Sequence, residues 1–369
     1  MSRRTGINAP VRNLMAGIQP VQTVLDHLSY RSSHRETISM DRFANLGIRY
    51  CNQDSSKTES GYYAKIDGQD MRLTDGAIRT AAKLIDAKSS FFNQFPDKDA
   101  FPKMVSHVLD SAGGGVLVRH DGLSINAILP PYYQVRDADE LLGDFVKALD
   151  DEIGDIKGIA VDEEGNGDRG RYRVVMGNNL MPDLDDSRGQ FMMFVLTMSE
   201  TGQIDAKTEL GLYRTLCTNS AVREATRSRW DHVASPSKFF QNSGEVIRMT
   251  GQLQNQFSRI FGELAKMELE HEPAAILHAM KVVGSISEQH NKLAQQMILT
   301  PTDEGRMVTT HYDLFNVLTR TAQELPSMRA REAAEQQSLS LFTARGGIYE
   351  ELRRQGSKRR TREDLALLN

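Results

Sequence analysis

The chain has 369 residues, 39% of them hydrophobic and 25% charged, with a formal net charge of −4. That apolar content suffices for two packed domains, and no apolar run approaches the roughly 20 residues that span a bilayer, so a membrane protein is not expected. Cys51 and Cys217 are too few for a disulfide framework and are not spaced as metal ligands, which fits a reducing cytoplasm.

Asn8, Pro10, Arg12, Asn13 and Pro20 interrupt the apolar stretch a secretion signal needs, so secretion is not expected. Residues 1–60 read as an extended or lightly helical lead-in. A strand is expected over 61–66, then a helix capped by Thr74 with Ala77, Ile78, Ala81, Leu84 and Ile85 at helical spacing. A short helix covers about 99–109. The run 116–120, then Asp121-Gly122, then 123–129, predicts a β-hairpin whose turn uses two residues tolerant of positive φ.

Leu141, Leu142, Phe145, Val146 and Leu149 predict an amphipathic helix over 138–149. An acidic loop over 162–170 leads into a strand at 172–176. Residues 191–198 read as a central strand, apolar on both faces, and 202–205 turns the chain into a strand through Leu210, Leu212, Thr215 and Cys217. Thr218, Asn219 and Ser220 are all helix-capping residues, so a basic helix is expected to follow, with Arg223 and Arg227 on one face.

Apolar residues at three-and-four spacing then predict a long helix over 239–267. Further helices are expected from Pro273 to about Pro301, over 309–324 and over 326–342. The fold class is therefore α+β: a mixed or antiparallel sheet domain over 60–234, an all-helical domain over 235–345 and a basic tail over 346–369.

Charge is segregated. Residues 137–168 hold twelve acidic side chains against Lys147 and Lys157, whereas 345–362 hold seven basic ones against Glu350 and Glu351. A basic block is a common footprint for phosphate backbones, and equally describes a solvated terminus.

Several chemical motifs fail on spacing. The acidic run from Asp162 resembles a calcium loop, but Arg173 stands where the bidentate Glu belongs. His271-Glu272 lacks a second His at 275 for a zinc helix. Gly113-Gly114-Gly115 precedes a strand and lacks the Lys of a phosphate loop. Cys217 in an apolar run reads as a buried hydrophobe. No catalytic residue, metal site or cofactor is assigned; a metal-dependent hydrolase using the acidic loop is a third reading.

The basic cluster differs in kind. Arg214, Arg223, Arg227 and Arg229, with Trp230, His232 and Lys238, combine guanidinium groups that grip phosphate with an aromatic face that stacks an unpaired base. Arg353, Arg354, Lys358, Arg359, Arg360 and Arg362 add the tail cations. Trp230 serves equally well as an anchor between the two halves, with the arginines paired to the acidic helix.

At these residues the chain resembles a family borne by phages, plasmids and integrative elements, domain of unknown function 932. That family carries a strand ending in Cys-Thr-Asn-Gly or Cys-Ser-Asn-Gly, then a basic run and an Arg-His pair. Here the element reads Cys217-Thr218-Asn219-Ser220, followed by Arg227-Ser228-Arg229-Trp230-Asp231-His232. Leu117-Val118-Arg119, Ala127-Ile128-Leu129 and Tyr132-Tyr133 match upstream features, and residues 312–319 match a helical segment, so the similarity spans about 62–342. Ser220 in place of Gly, Pro130-Pro131 before the tyrosines, and Trp230-Asp231 between Arg229 and His232 are departures. The resemblance implies a companion of mobile-element replication and recombination.

The expected function is thus non-catalytic binding of single-stranded DNA or RNA in a host cytoplasm. The alternative is a homo-oligomeric assembly or virion protein, in which the acidic face of one copy meets the basic tail of another.

Overall fold

The computed structural model describes residues 17–52, 59–92, 97–165, 168–179, 190–204, 206–214, 219–230, 258–299, 307–342, 344 and 347–359. It is a mixed α+β fold, with two six-stranded sheets in the N-terminal part and a run of helices in the C-terminal part.

The first sixty residues are more than a lead-in. They supply β1 (Ile18–Gln19), α1 (Val21–Ser32), β2 (Glu36–Met40) and β3 (Arg49–Cys51), and β2 and β3 form the two edges of the first sheet. β4 (Gly61–Ile66) and β5 (Gln69–Leu73) join through Asp67 at φ 49° and Gly68 at φ 82°, the positive-φ pair of a two-residue hairpin. α2 (Asp75–Lys83) starts as expected, the Thr74 side chain accepting a hydrogen bond from the Ala77 amide. α3 (Ser89–Phe92) and α4 (Ala100–Ser111) follow.

The expected hairpin forms from β6 (Val116–His120) and β7 (Ser124–Leu129). Its turn is set one residue later than Asp121-Gly122: the Asp121 amide donates to the Ser124 carbonyl at 3.2 Å, leaving Gly122 and Leu123 between the strands. Only Gly122 has positive φ, at 78°, while the Asp121 carboxylate accepts from the amides of Leu123 and Ser124 at 3.0 and 2.7 Å. The first sheet runs β2-β6-β7-β5-β4-β3, all antiparallel except β5 beside β7. Its core joins Val116, Val118, Ile125 and Ile128 to Ala77 and Ala81 of α2 and Phe101 and Val105 of α4. Gly115 is held to glycine by close approach: a Cβ there would lie 2.7 Å from the Met40 carbonyl oxygen.

α5 (Ala138–Glu152) leads to β8 (Ile156–Glu164), β9 (Arg169–Asn179), β10 (Gln190–Met198), β11 (Ala206–Arg214) and β12 (Asn219–Trp230). They form an antiparallel second sheet in the order β1-β8-β9-β10-β11-β12, with β10 inside and buried on both faces, as its composition requires. Ile159, Val161, Tyr172, Val174, Phe194 and Leu196 share an apolar cluster with Val24 and Leu28 of α1 and Leu141, Leu142 and Phe145 of α5.

The described helices after the sheets are α6 (258–264), α7 (Pro273–Val282), α8 (Glu288–Ile298), α9 (His311–Gln323), α10 (Met328–Phe342) and α11 (Gly347–Arg359). Of the long helix expected over 239–267, residues 239–257 lie outside the described residues. The single helix expected from Pro273 to Pro301 is two. Gly284 at φ 69° ends α7, with its amide on the Lys281 carbonyl and that of Ser285 on Met280, both at 2.8 Å, and Ser287 caps α8. Thr310 and Asp313 form a reciprocal capping box on α9. No described helix is long and apolar enough to cross a membrane.

Candidate nucleic-acid interface and its ionic support

Arg214 closes β11, and Arg223, Arg227, Arg229 and Trp230 lie on β12, so the expected basic helix is a strand. Thr218, Asn219 and Ser220 belong equally to turn chemistry, and pairing along β11 outweighs the helix preference of the Ala, Arg and Glu residues that follow. The register runs Arg214 opposite Asn219, Leu210 opposite Arg223, Thr208 opposite Ser228 and Lys207 opposite Arg229. Between the middle two pairs, Glu209 alone opposes residues 224–227, a pronounced bulge that contains Arg227. β12 is the last strand of its sheet, with α9 and α10 against it.

The tail cations Arg353, Arg354, Lys358 and Arg359 sit on α11, a helix rather than a loose arm. Ile348, Tyr349 and Leu352 bury its inner side, and it lies against α7 and α10. α10 thus touches both the β11–β12 hairpin and the basic helix. His232, Lys238, Arg360, Arg362 and Cys217 lie outside the described residues.

Beneath the hairpin is a buried ionic layer. Across the sheet the register aligns Asp162, Arg171, Thr197, Lys207 and Arg229 in one row over five strands. α10 covers this part of the sheet with Arg331, Glu332, Glu335 and Gln336. Arg331 grips Asp162 with two bonds of 2.8 and 3.1 Å. Arg171 meets Glu335 at 2.6 Å, Lys207 and Arg169 both reach Glu332, and Gln336 donates to Glu209 at 3.2 Å. Arg171, Glu335 and Glu209 are wholly buried. Burial opposes the charge on Arg171, but the Glu335 carboxylate holds its pKa above the usual arginine value. Burial dominates at Arg169 and lowers its pKa.

A second ionic centre joins the two sheets. Buried Glu200, just after β10, accepts from the Ala138 amide at the start of α5 at 2.9 Å and from Arg35, and forms an ion pair with Arg31 of α1 at 2.8 Å. Burial works against its charge, yet Arg31, Arg35 and Arg119 together bring its pKa down to about 2. Glu163 pairs with Arg31 at 2.7 Å and accepts from Tyr172. Arg119, of β6, pairs with Asp137, and burial, with Arg35 nearby, lowers its pKa to about 10.

The acidic run expected as a loop over 162–170 is therefore mostly strand. Asp162 and Glu163 are buried, with arginines as partners, and Asp168, in the turn, is held by Arg79, Thr201 and Gln203. Among the described residues no group of three or more His, Cys, Asp or Glu side chains is arranged to hold a metal. His271 lies edge-on to Tyr349, with ring centres 5.4 Å apart. The ionic layer was missed from the sequence, although Arg169, Arg171 and Arg173 alternate with Gly170, Tyr172 and Val174 at the period of two that marks opposite faces of a strand.

Comparison with protein-family models, curated proteins and solved structures returns no match.

Proposed function

We propose that the protein binds single-stranded DNA or RNA without catalysis, in support of the replication or recombination of a phage or mobile element. The observation that carries this reading is the gathering of Arg214, Arg223, Arg227, Arg229 and the single tryptophan on one hairpin at a sheet edge. Guanidinium groups that grip phosphate and an aromatic ring that stacks a base are the side-chain types an unpaired strand needs. α11 carries four more cations, Arg353, Arg354, Lys358 and Arg359. The resemblance to the phage and plasmid family supports the reading by association only.

The test is fluorescence anisotropy of a labelled oligonucleotide at several salt concentrations. Each phosphate contact should add about 0.7 to the slope of log affinity against log salt. Charge reversal of Arg223, Arg227 and Arg229 should flatten that slope by about two for the three side chains. Salt-independent affinity, or no change in the variant, overturns the reading.

A second reading is self-assembly. Asp150 and Asp151 are exposed near the end of α5, while Glu140 and Asp144 pair with Arg136, and this acidic helix is complementary to the basic α11. Sedimentation of the intact protein and of an Arg353→Glu, Arg354→Glu variant tests it, with loss of oligomers in the variant as the supporting result.

A further inference from the structure

Where α7 ends, α10 and α11 enclose a cleft of about 250 Å³. Its floor is apolar: Val283 and Leu341 are 1% and 2% exposed. The polar groups deeper in the cleft are already paired. Ser285 donates to the Gln355 carboxamide oxygen, and Gln355 donates to Glu351 at 2.8 Å. At the mouth, Gln337 and Ser340 are exposed and make no side-chain hydrogen bond among the described residues. Among the described residues, no charged side chain lines the cleft.

A charged ligand would find no counter-charge among these lining residues, and a purely apolar one would leave the carboxamide and hydroxyl at the rim unused. A flat ring with a donor and acceptor edge uses both. It lays its faces on Val283 and Leu341, while Gln337 offers the paired donor and acceptor of a primary amide, the group that reads a base edge with two hydrogen bonds. The volume lies just below the roughly 300–1,000 Å³ of sites for drug-sized molecules, which suits one ring system. The cleft also adjoins α11, the helix on which Arg353 and Arg354 are exposed.

We propose that this cleft holds one uncharged nucleobase, read by Gln337 and Ser340. The inference rests on the nucleic-acid reading above and gives it a defined base-binding position. The free nucleoside and the unpaired base of a strand share this chemistry, and two probes separate them.

The first probe is a phosphate-free nucleoside, adenosine or cytidine, titrated into the full chain by equilibrium dialysis. The second is a short single-stranded oligonucleotide. Gln337→Leu removes the reading edge and Ser340→Leu fills the mouth; both residues are exposed, so the fold should persist, checked by circular dichroism. The expected result is saturable nucleoside binding, weakened about tenfold by Gln337→Leu as one bidentate edge contact is lost, weakened also by Ser340→Leu as the mouth is filled, and unchanged by charge reversal of Arg223, Arg227 and Arg229. Absence of nucleoside binding while the oligonucleotide still binds overturns the cleft and leaves the proposed function standing. Nucleoside binding that neither substitution weakens also overturns it. Nucleoside binding without oligonucleotide binding keeps the cleft and overturns the strand reading. Binding of neither overturns both.

Discussion

Replacement of Glu335 by leucine should remove the centre of the ionic layer. Its carboxylate lies 2.6 Å from Arg171, and 3.8 Å from Arg173, and it accepts a hydrogen bond from Gln323. Both Arg171 and Glu335 are fully buried, so water cannot replace the lost partner. Removing one member of such a pair costs about 3–5 kcal/mol, because the remaining charge stays in the interior uncompensated. Replacing both members by apolar side chains of similar volume is often neutral. The double variant Arg171→Met, Glu335→Leu should therefore be more stable than Glu335→Leu alone. Urea unfolding followed by far-ultraviolet circular dichroism measures both. A loss below about 1 kcal/mol in the single variant, or a double variant less stable than the single one, would refute the claim that these two charges depend on each other.

Glu200, with its pKa lowered to about 2 from 4.5, contributes stability that is present above pH 4.5 and lost as pH falls toward 2, roughly 3 kcal/mol in all; acid titration of Glu200→Gln should lack that decline. His290 and His311 have lowered pKa values, chiefly through burial, so their contribution is complete above pH 6.5 and falls as acid protonates the unfolded chain first. A His290→Asn, His311→Phe variant should lose less stability than the parent between pH 7 and 5, read by thermal melts; an identical loss in both proteins contradicts the assignment. Thr310→Val should cost about 1 kcal/mol by breaking the capping box of α9, and Thr310→Ser should restore it.

What was legible in the sequence followed from local chemistry. Thr74 caps α2 because its side chain needs only the amide three residues on, and β10 reads as central because it is apolar on both faces. The two halves of the 116–129 hairpin are strands by composition, yet the Asp-Gly dipeptide that puts both its residues at positive φ is Asp67-Gly68, which joins β4 and β5. Elements that depend on distant partners were misread. Residues 219–230 contain helix formers and become a strand because β11 supplies an edge. Asp162 and Glu163 look like a solvated loop until Arg331 and Arg31, far away in sequence, reach them. The two-helix break at Gly284 was visible in principle, since Gly284 offers a stop and Ser287, three residues on, a new cap. For the candidate site, residue types were legible and their arrangement was not: four cations proposed for one helix and its approaches share a bulged hairpin instead.

The ionic layer also sets an order of events during synthesis. Arg331 and Asp162 are 169 residues apart. At about 5–20 residues per second, the interval between their emergence is roughly 8–34 s. For most of it β8 and β9 can pair, yet Arg171 and Arg173 have no Glu335 to meet. A ribosome-bound chain that ends before α10 therefore carries charged groups on a surface shaped for burial, and long-range contacts of this kind form slowly. Premature termination anywhere from the end of β12 to the start of α10 should leave a product that chaperones retain, whereas release after α10 should allow the second sheet to close.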